Sequence, residues 1–303
     1  MIRLKNVTKC FDADVALDHI DLEIPDQQVC GLLGTNGAGK STMMRLICGI
    51  EKCDEGHITL HDCDVYDNPV VKKEMFFCGD SPFYFSHSNG LEMAKYLEQF
   101  YDTFRMDLFL KWMDIFRLDP KRRIGTFSKG KKKQLSILLG LASQTKYLFC
   151  DESFDGLDPA MRQAVKTLLI GEMAERPLTV VISSHNLREL EDLCDNVILL
   201  HDGKMLLTKE LEEMKSRLHR IQCVFTNEGD FETLCDRIPV EHVERHDTMY
   251  AFVAHGSREE IGEAIADMKM AYLEIMPLSL EDVFIMETEV AGYDIKKLLL
   301  ETM

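Results

Sequence analysis

The segment Gly34–Thr42 limits the fold of this chain more than any other feature. The apolar run Val29–Leu33 predicts a strand before it, and apolar residues at helical spacing after Lys40 predict a helix behind it. Glycines let successive backbone N–H groups point at an anion, and the helix adds its positive dipole end. Lys40 can reach a nucleotide's outer phosphates, and Ser41 offers a hydroxyl to Mg²⁺. The segment therefore predicts a phosphate-binding loop between a strand and a helix.

A phosphate loop by itself fits kinases, GTPases and motor ATPases equally well, so later segments must discriminate among them. In the run Phe127–Gln134, Ser128 can cap a helix and Gly130 permits close backbone approach to a phosphate. Lysines in the first turn of that helix oppose the helix dipole, and a bound anion would relieve this conflict. The run resembles the signature loop of ABC-type ATPases, which is usually written Leu-Ser-Gly-Gly-Gln.

An acidic pair follows the next apolar stretch. The run Tyr147–Cys150 predicts a buried strand, and it ends in Asp151 and Glu152. Two adjacent carboxylates at that position repel each other and suffer desolvation unless a cation lies nearby. The pair is similar to the Walker B end of ABC ATPases. The resemblance implies that Asp151 holds Mg²⁺ through water and that Glu152 polarises the attacking water.

Three further segments match the same family in order. Asp158 and Pro159 are typical of a helix N-terminus, and their segment looks like the D-loop that touches a partner subunit. His185, after a β-branched run, resembles the switch histidine, which implies contact with the γ-phosphate. Phe11 is similar in position to the aromatic residue that stacks on adenine.

One departure from the family affects a residue that usually relays the nucleotide state. Asp80 stands where members carry a glutamine that reaches Mg²⁺ and water. An aspartate is shorter and accepts hydrogen bonds only, so it could ligate Mg²⁺ but could not donate to water. The signature also has Lys129 where glycine is commonest and Lys131 where glutamine is.

Residues and resemblance together predict a complete site for ATP and Mg²⁺. The predicted catalytic residues are Lys40, Glu152 and His185, and the predicted metal ligands are Ser41, Asp151 and Asp80. The predicted nucleotide-binding residues are Phe11, Gly34, Thr35, Asn36, Gly37, Ala38, Gly39, Lys40, Ser41, Thr42, Ser128, Gly130 and Asp158.

The predicted fold is α/β, a P-loop NTPase of ABC ATPase type with an antiparallel β layer and a helical subdomain at about 86–143. Residues 1–218 are predicted to form this nucleotide-binding domain and residues 219–303 a small α+β domain. In the second domain, the strand and helix patterns follow the order βαββαβ, which suggests a ferredoxin-like unit. Helices are also predicted from Leu187 onward and at Asp294–Met303.

Composition limits the partners and the compartment. A formal net charge of −17 argues against nonspecific nucleic-acid binding and against adsorption to anionic lipid. The ten cysteines lack metal-site spacing, and several lie in apolar strands, which suits a reducing cytosol. No apolar run approaches the roughly 18–20 residues of a membrane helix, so membrane attachment is expected through a protein partner.

The resemblance implies the ATP-hydrolysing subunit of an ABC transporter that powers a separate integral-membrane permease. Pro277–Phe284 resembles the tail motif of exporter ATPases, which favours export. We expect a head-to-tail homodimer, or a heterodimer with a related ATPase, at the cytoplasmic face of the membrane. Two alternatives stay open: a soluble ABC ATPase without a transport role, and a nucleotide-sensing regulatory subunit with weak hydrolysis.

Overall fold

The computed structural model describes residues 1–185, 190–227 and 229–290, and it divides the chain into two compact units, Met1–Thr208 and Lys209–Met303. The sequence predicts a boundary ten residues later, after residue 218. The helix predicted from Leu187 has its first residue outside the described ranges, and the one predicted at Asp294–Met303 lies wholly outside them. No helix in the described ranges is long and apolar enough to cross a membrane.

The first unit begins with an antiparallel sheet. It is built from β1 (Ile2–Phe11), β2 (Asp14–Ile24), β4 (Glu55–Leu60) and β5 (Cys63–Asp64), in the order β2-β1-β4-β5. Alternating apolar residues on β1 and β2, such as Ile2, Leu4, Leu22 and Ile24, point into the core and are buried. This sheet is the antiparallel layer that the alternation predicts.

A six-stranded sheet carries the site at the carboxyl ends of its parallel strands. Its order is β10-β9-β3-β8-β7-β6, from β3 (Val29–Leu33), β6 (Met75–Cys78), β7 (Tyr147–Asp151), β8 (Thr179–Ser184), β9 (Asn196–His201) and β10 (Lys204–Glu210). β3 pairs in parallel with β8 and β9, and β7 pairs in parallel with β6 and β8. Strands β3, β7 and β8 are buried along their whole length, as parallel strands covered on both faces are.

Helices flank this sheet and position its loops. They are α1 (Lys40–Ile47), the short α2 (Pro69–Lys72), α3 (Gly90–Leu97), α4 (Met106–Ile115), α5 (Lys129–Ala142) and α6 (Pro159–Glu175). The apolar side chains of α1 are fully buried in one core with β1, β2, β4 and β7. Burial of each such side chain contributes about 1.5–3 kcal/mol, so packing holds the phosphate loop's helix in place.

The second unit has the predicted βαββαβ order. After α7 (Leu211–Arg217) come β11 (Leu218–Phe225), α8 (Asp230–Arg237), β12 (Val240–His246), β13 (Met249–His255), α9 (Arg258–Ile265), β14 (Met270–Pro277) and α10 (Leu280–Val290). Its sheet order is β12-β13-β11-β14, all antiparallel, with a core that includes Ile221, Leu234, Phe252 and Ile261. This topology is the ferredoxin-like arrangement that the sequence predicts.

Candidate active site

The phosphate loop runs from the end of β3 to the first turn of α1. At two of its glycines, neighbouring atoms leave no room for a side chain. A Cβ at Gly39, where φ is +101°, would lie 2.5 Å from the carbonyl oxygen of Ala16, and one at Gly34 would lie 2.5 Å from that of Leu200. Gly37 also has positive φ, +85°, but nothing lies within 4 Å of its Cβ position. The loop is therefore packed tightly at both ends and open at Gly37.

Lys40 is buried, and its ammonium group is held by the loop itself. Its Nζ donates to the carbonyl oxygens of Gly34 at 2.8 Å and Thr35 at 3.0 Å. Desolvation lowers the pKa of Lys40, and the nearby carboxylates of Glu152 and Asp151 partly oppose that shift. The group is a desolvated cation bonded to neutral carbonyls, and an anion in the loop would be a stronger partner.

Ser41 and Asp151 meet at the predicted metal position. The Ser41 hydroxyl donates to Asp151 Oδ1 at 3.0 Å, and the Ser183 hydroxyl donates to the same oxygen at 2.7 Å. Asp151 is buried, and within residues 1–185, 190–227 and 229–290 no basic side chain forms an ion pair with it. A buried carboxylate bonded only by hydroxyl groups fits a divalent cation, which supplies the missing positive charge and prefers oxygen ligands.

Glu152 follows directly and faces the phosphate loop. Its backbone is in the left-handed region, with φ of +46°. Its N–H donates to the Ser183 hydroxyl at 2.9 Å, and its carbonyl oxygen accepts from Lys133 Nζ at 2.6 Å. A cavity of about 310 Å³ is lined by Glu152, by Ala16 and by the loop and helix residues Asn36, Gly37, Gly39, Lys40, Ser41 and Thr42.

His185 lies close to Glu152, and the carboxylate of Asp155 contacts it. The sequence analysis gives Asp155 no role. The Nδ1 of His185 is 3.1 Å from Asp155 Oδ2, and Asp155 Oδ1 accepts the Ser184 hydroxyl at 3.1 Å. One ligand atom each from Glu152, Asp155 and His185 lies within 4.8 Å of the other two. The predicted catalytic carboxylate and histidine are thus brought together at one edge of the sheet.

Asp80 has partners that the sequence analysis did not anticipate. Its Oδ1 lies 2.7 Å from Lys133 Nζ and 3.3 Å from Lys129 Nζ. The hydrogen bond from Lys133, and then the charges of both lysines, lower the pKa of this carboxyl. To bind Mg²⁺ the carboxylate would have to give up these ammonium partners. The role of Asp80 as a metal ligand therefore stays a prediction.

The other predicted nucleotide contacts lie away from the cavity lining. Ser128 caps α5 by accepting the N–H of Lys131, and Asp158 caps α6 by accepting the N–H of Met161 at 3.0 Å. A Cβ at Gly130 would lie 3.0 Å from the carbonyl oxygen of Gly156. The glycine at this position therefore permits α5 to approach the Asp155–Asp158 loop.

Two predicted residues of the loop and one of β1 complete the set. Ala38 is buried, and its N–H donates to the carbonyl oxygen of Thr35 at 3.2 Å. Phe11 ends β1 with 46% of its surface exposed, and Lys9 Nζ lies 5.2 Å from its ring centroid. The ring is exposed and does not line the cavity, so its stacking on adenine stays a prediction.

Sequence reasoning missed three residues that hold the catalytic segment. Ser183 and Asp155 are in segments that the sequence analysis singled out, but nothing in the sequence shows their partners. Lys133 was assigned only to a basic helix turn. Its position in that turn gives no signal of its two partners, Asp80 and the carbonyl of Glu152, because both are distant in the sequence.

These features define the P-loop nucleotide-binding class. They are a strand followed by a glycine loop with a buried lysine, and a hydroxyl group hydrogen-bonded to a carboxylate on another strand of the same sheet. Residues 17–155 match the family model described as "ABC transporter". Over these residues the chain carries an ABC transporter ATP-binding domain, which is an ATPase domain, and along most of its length it is similar to proteins named as ABC transporter ATP-binding proteins.

Curated relatives support this assignment along most of the chain. The chain is 29% identical over 286 residues to "ABC transporter ATP-binding protein YtrB" of Bacillus subtilis, covering 94% of this chain and 97% of the relative. It is 28% identical to "Bacitracin transport ATP-binding protein BcrA" of Bacillus licheniformis, covering 72% of each. It is also 28% identical to "Methionine import ATP-binding protein MetN" of Histophilus somni, covering 68% and 64%.

Solved structures share the fold. One titled "Structure of ATP binding subunit of ABC transporter" superposes with a TM-score of 0.65 at 22% identity, covering 71% of this chain and 92% of that one. A "Dimeric structure of a post-hydrolysis state of the ATP-binding cassette MJ0796 bound to ADP and Pi" gives 0.63 at 22% identity, covering 70% and 99%. The first unit is therefore an ABC ATPase cassette by fold.

Proposed function

We propose that this chain hydrolyses MgATP in the cavity between its phosphate loop and Glu152, and that it powers a membrane permease that exports its substrate. The observation that carries the proposal is the bond between Ser41 and Asp151 beside Glu152, because it joins a phosphate loop, a cation site and a carboxylate in one place. The relatives' names agree with the class of function, and the roles of individual residues are our inference.

Each residue has one role in this proposal. Lys40 and the loop amides bind the phosphates, while Ser41 and Asp151 hold Mg²⁺, which neutralises charge on the outer phosphates. Glu152 orients the attacking water and accepts its proton, and His185 binds the γ-phosphate. Phe11 stacks on the adenine.

Phosphate release by the purified chain tests the hydrolysis. Glu152→Gln removes the proton acceptor but keeps the shape, so we expect turnover to fall about 10²- to 10⁴-fold while nucleotide still binds. Turnover of the wild type no higher than that of Glu152→Gln would reject the proposal and favour a nucleotide-sensing subunit.

We further propose that two copies dimerise head to tail, so that Ser128 and Gly130 of one copy close the cavity of the other. In support, both residues lie at the start of α5 and neither lines the cavity of its own chain. The Glu152→Gln protein should double its mass in MgATP, as measured by light scattering after gel filtration. Ser128→Arg in the same background should stay a single chain, and a dimer of that variant would contradict the arrangement.

An exposed row of aromatic rings supports a protein partner. Phe83, Phe85, Tyr96 and Phe100 are exposed, and successive ring centroids in this aromatic row lie 5.4, 4.8 and 4.9 Å apart. An exposed apolar patch of this kind marks an interaction surface, and the row follows closely on Asp80 in the chain. We infer that an apolar cytoplasmic segment of the permease docks here and keeps the chain at the inner face of the membrane.

Co-purification of the chain with its permease from detergent extracts tests the docking surface. Phe83 is 76% exposed. The Phe83→Ser variant should no longer co-purify with the permease, because the change removes an aromatic contact. Val70 is 75% exposed outside the row, and Val70→Ser should leave capture unchanged. Equal capture of both variants would reject this surface.

The direction of transport rests on the tail segment Pro277–Phe284, which resembles that of exporter ATPases. A relative named for bacitracin transport and one named for methionine import are each 28% identical to this chain, so sequence identity alone does not discriminate between export and import. Everted membrane vesicles that hold the complex should load labelled bacitracin when MgATP is added outside. Loading of labelled methionine into right-side-out vesicles instead would indicate import.

A further inference from the structure

Lys133 is a buried lysine that joins two loops of the site. Only 1% of its side chain is exposed, although it lies in a run of lysines on α5. Its Nζ lies 2.7 Å from Asp80 Oδ1 and donates to the carbonyl oxygen of Glu152 at 2.6 Å. A buried ammonium group is costly unless it is paired and hydrogen-bonded, and these two partners satisfy it.

The two partners belong to neighbouring strands. Asp80 follows β6 and Glu152 follows β7, and these strands pair in parallel with Cys78 opposite Cys150. The backbone hydrogen bonds between the two strands end before either loop begins. The ammonium group of Lys133 therefore links the two loops where the sheet no longer does. Lys129 also faces Asp80 but is exposed and has no bond to Glu152 among the described contacts.

The carbonyl that Lys133 binds belongs to a residue with an unfavourable backbone. Glu152 has φ of +46°, which costs a non-glycine residue free energy unless its surroundings hold it. Its N–H is fixed by Ser183, and its carbonyl also accepts the N–H of Asp155 at 3.1 Å. The charged donor of Lys133 is the stronger of the two donors to that oxygen.

We propose that Lys133 is a positioning residue for Glu152, and that Asp80 holds Lys133 in place so that movement of the Asp80 segment changes turnover. This inference rests on the proposed function. The Asp80 segment leads into the aromatic row, so docking or release of a partner there would reach the catalytic carboxylate through one buried side chain. The chain thereby replaces the family's glutamine with an ion pair that acts on Glu152 rather than on the metal.

Steady-state kinetics of the full chain test the inference. Lys133→Met removes both bonds, and we expect kcat to fall about 10- to 100-fold with KM for ATP nearly unchanged, because the loop that binds ATP is intact. Lys133→Gln keeps a donor for the Glu152 carbonyl and should recover part of kcat. Lys166, buried on α6 outside the site, provides the control, and Lys166→Met should keep wild-type kcat.

A double-mutant cycle separates positioning from folding. In the Glu152→Gln background the residue to be positioned has already lost its proton acceptor, so Lys133→Met should lower kcat no further. A purely structural role would lower kcat by the same factor in both backgrounds, and that result would overturn the inference. If Lys133→Met does not fold, Lys133→Gln is put through the same cycle, with the same two outcomes.

The inference and the proposed function fail differently. A wild-type chain that releases no phosphate, alone or with its permease, overturns both. An active wild type with equally active Lys133→Met overturns only the role of Lys133.

Discussion

Ser183 donates its hydroxyl hydrogen to Asp151 Oδ1 at 2.7 Å, and its oxygen accepts the N–H of Glu152 at 2.9 Å. A single buried side chain on β8 therefore orients both acidic residues at the end of the neighbouring strand β7. Ser41 bonds the same oxygen of Asp151, so the carboxylate is fixed from the phosphate-loop side as well. Asp151, the predicted metal ligand, and Glu152, the predicted catalytic base, are therefore both held by the hydroxyl of Ser183.

Replacing Ser183 with alanine should therefore damage activity and stability together. The change leaves the Glu152 N–H without its acceptor and Asp151 with one donor fewer, which costs about 1–3 kcal/mol in free energy of unfolding. Turnover should fall as well, because both carboxylates lose orientation. Ser143→Ala removes another buried hydroxyl, which bonds Leu139 within α5, and should lower stability alone. Equal turnover of both variants, measured by phosphate release, would contradict the prediction.

Two glycines of the phosphate loop should respond differently to alanine. Gly39→Ala places a Cβ 2.5 Å from the Ala16 carbonyl oxygen at positive φ, so the clash adds to a conformational cost of about 1–2 kcal/mol. Gly37→Ala meets no atom within 4 Å and bears only the conformational cost, but its methyl group enters the cavity. Urea unfolding should show the larger loss for Gly39→Ala. Nucleotide titration should show weakened binding for Gly37→Ala despite its milder loss of stability.

Asp155 should act on turnover through His185. Asp155→Ala removes the carboxylate that lies 3.1 Å from His185 Nδ1, so the ring loses the partner that fixes its orientation. We expect Asp155→Ala and His185→Ala to lower kcat by similar factors and the double variant to be no slower than either one. Multiplicative losses in phosphate release would show that the two residues act independently.

The local parts of the site could be predicted from sequence because they depend on neighbours in the chain. The glycine loop, the strand before it and the caps at Ser128 and Asp158 follow from residue type and spacing alone. The partners of Ser183 and Lys133 could not be predicted, because they depend on which strands are adjacent in the sheet. Strand order is set by long-range packing that short patterns do not encode.

The lysine run illustrates this limit. The sequence predicts that lysines in the first turn of α5 conflict with the helix dipole, and that a bound anion would relieve the conflict. In the structure, the chain's own Asp80 carboxylate pairs with Lys129 and Lys133. For these two lysines the counter-charge is therefore a carboxylate from a distant part of the same chain.

Asp80 should make the stability of the chain depend on pH in the acidic range. The pKa of its carboxyl is held below the ordinary 3.8, chiefly by the hydrogen bond from Lys133. The positive charge of Lys133, and the hydrogen bond and charge of Lys129, lower it further. A carboxyl with a depressed folded-state pKa stabilises the fold fully above its unfolded pKa, and this contribution is lost as the pH falls through the folded value. The melting temperature of wild type should therefore exceed that of Asp80→Asn by a constant amount from neutral pH down to about 4, and the gap should narrow below it. Thermal melts by circular dichroism between neutral and acidic pH provide the measurement. If the difference in melting temperature stayed constant through the acidic range, the charge of the Asp80 carboxylate would contribute nothing to stability, and the prediction would be wrong.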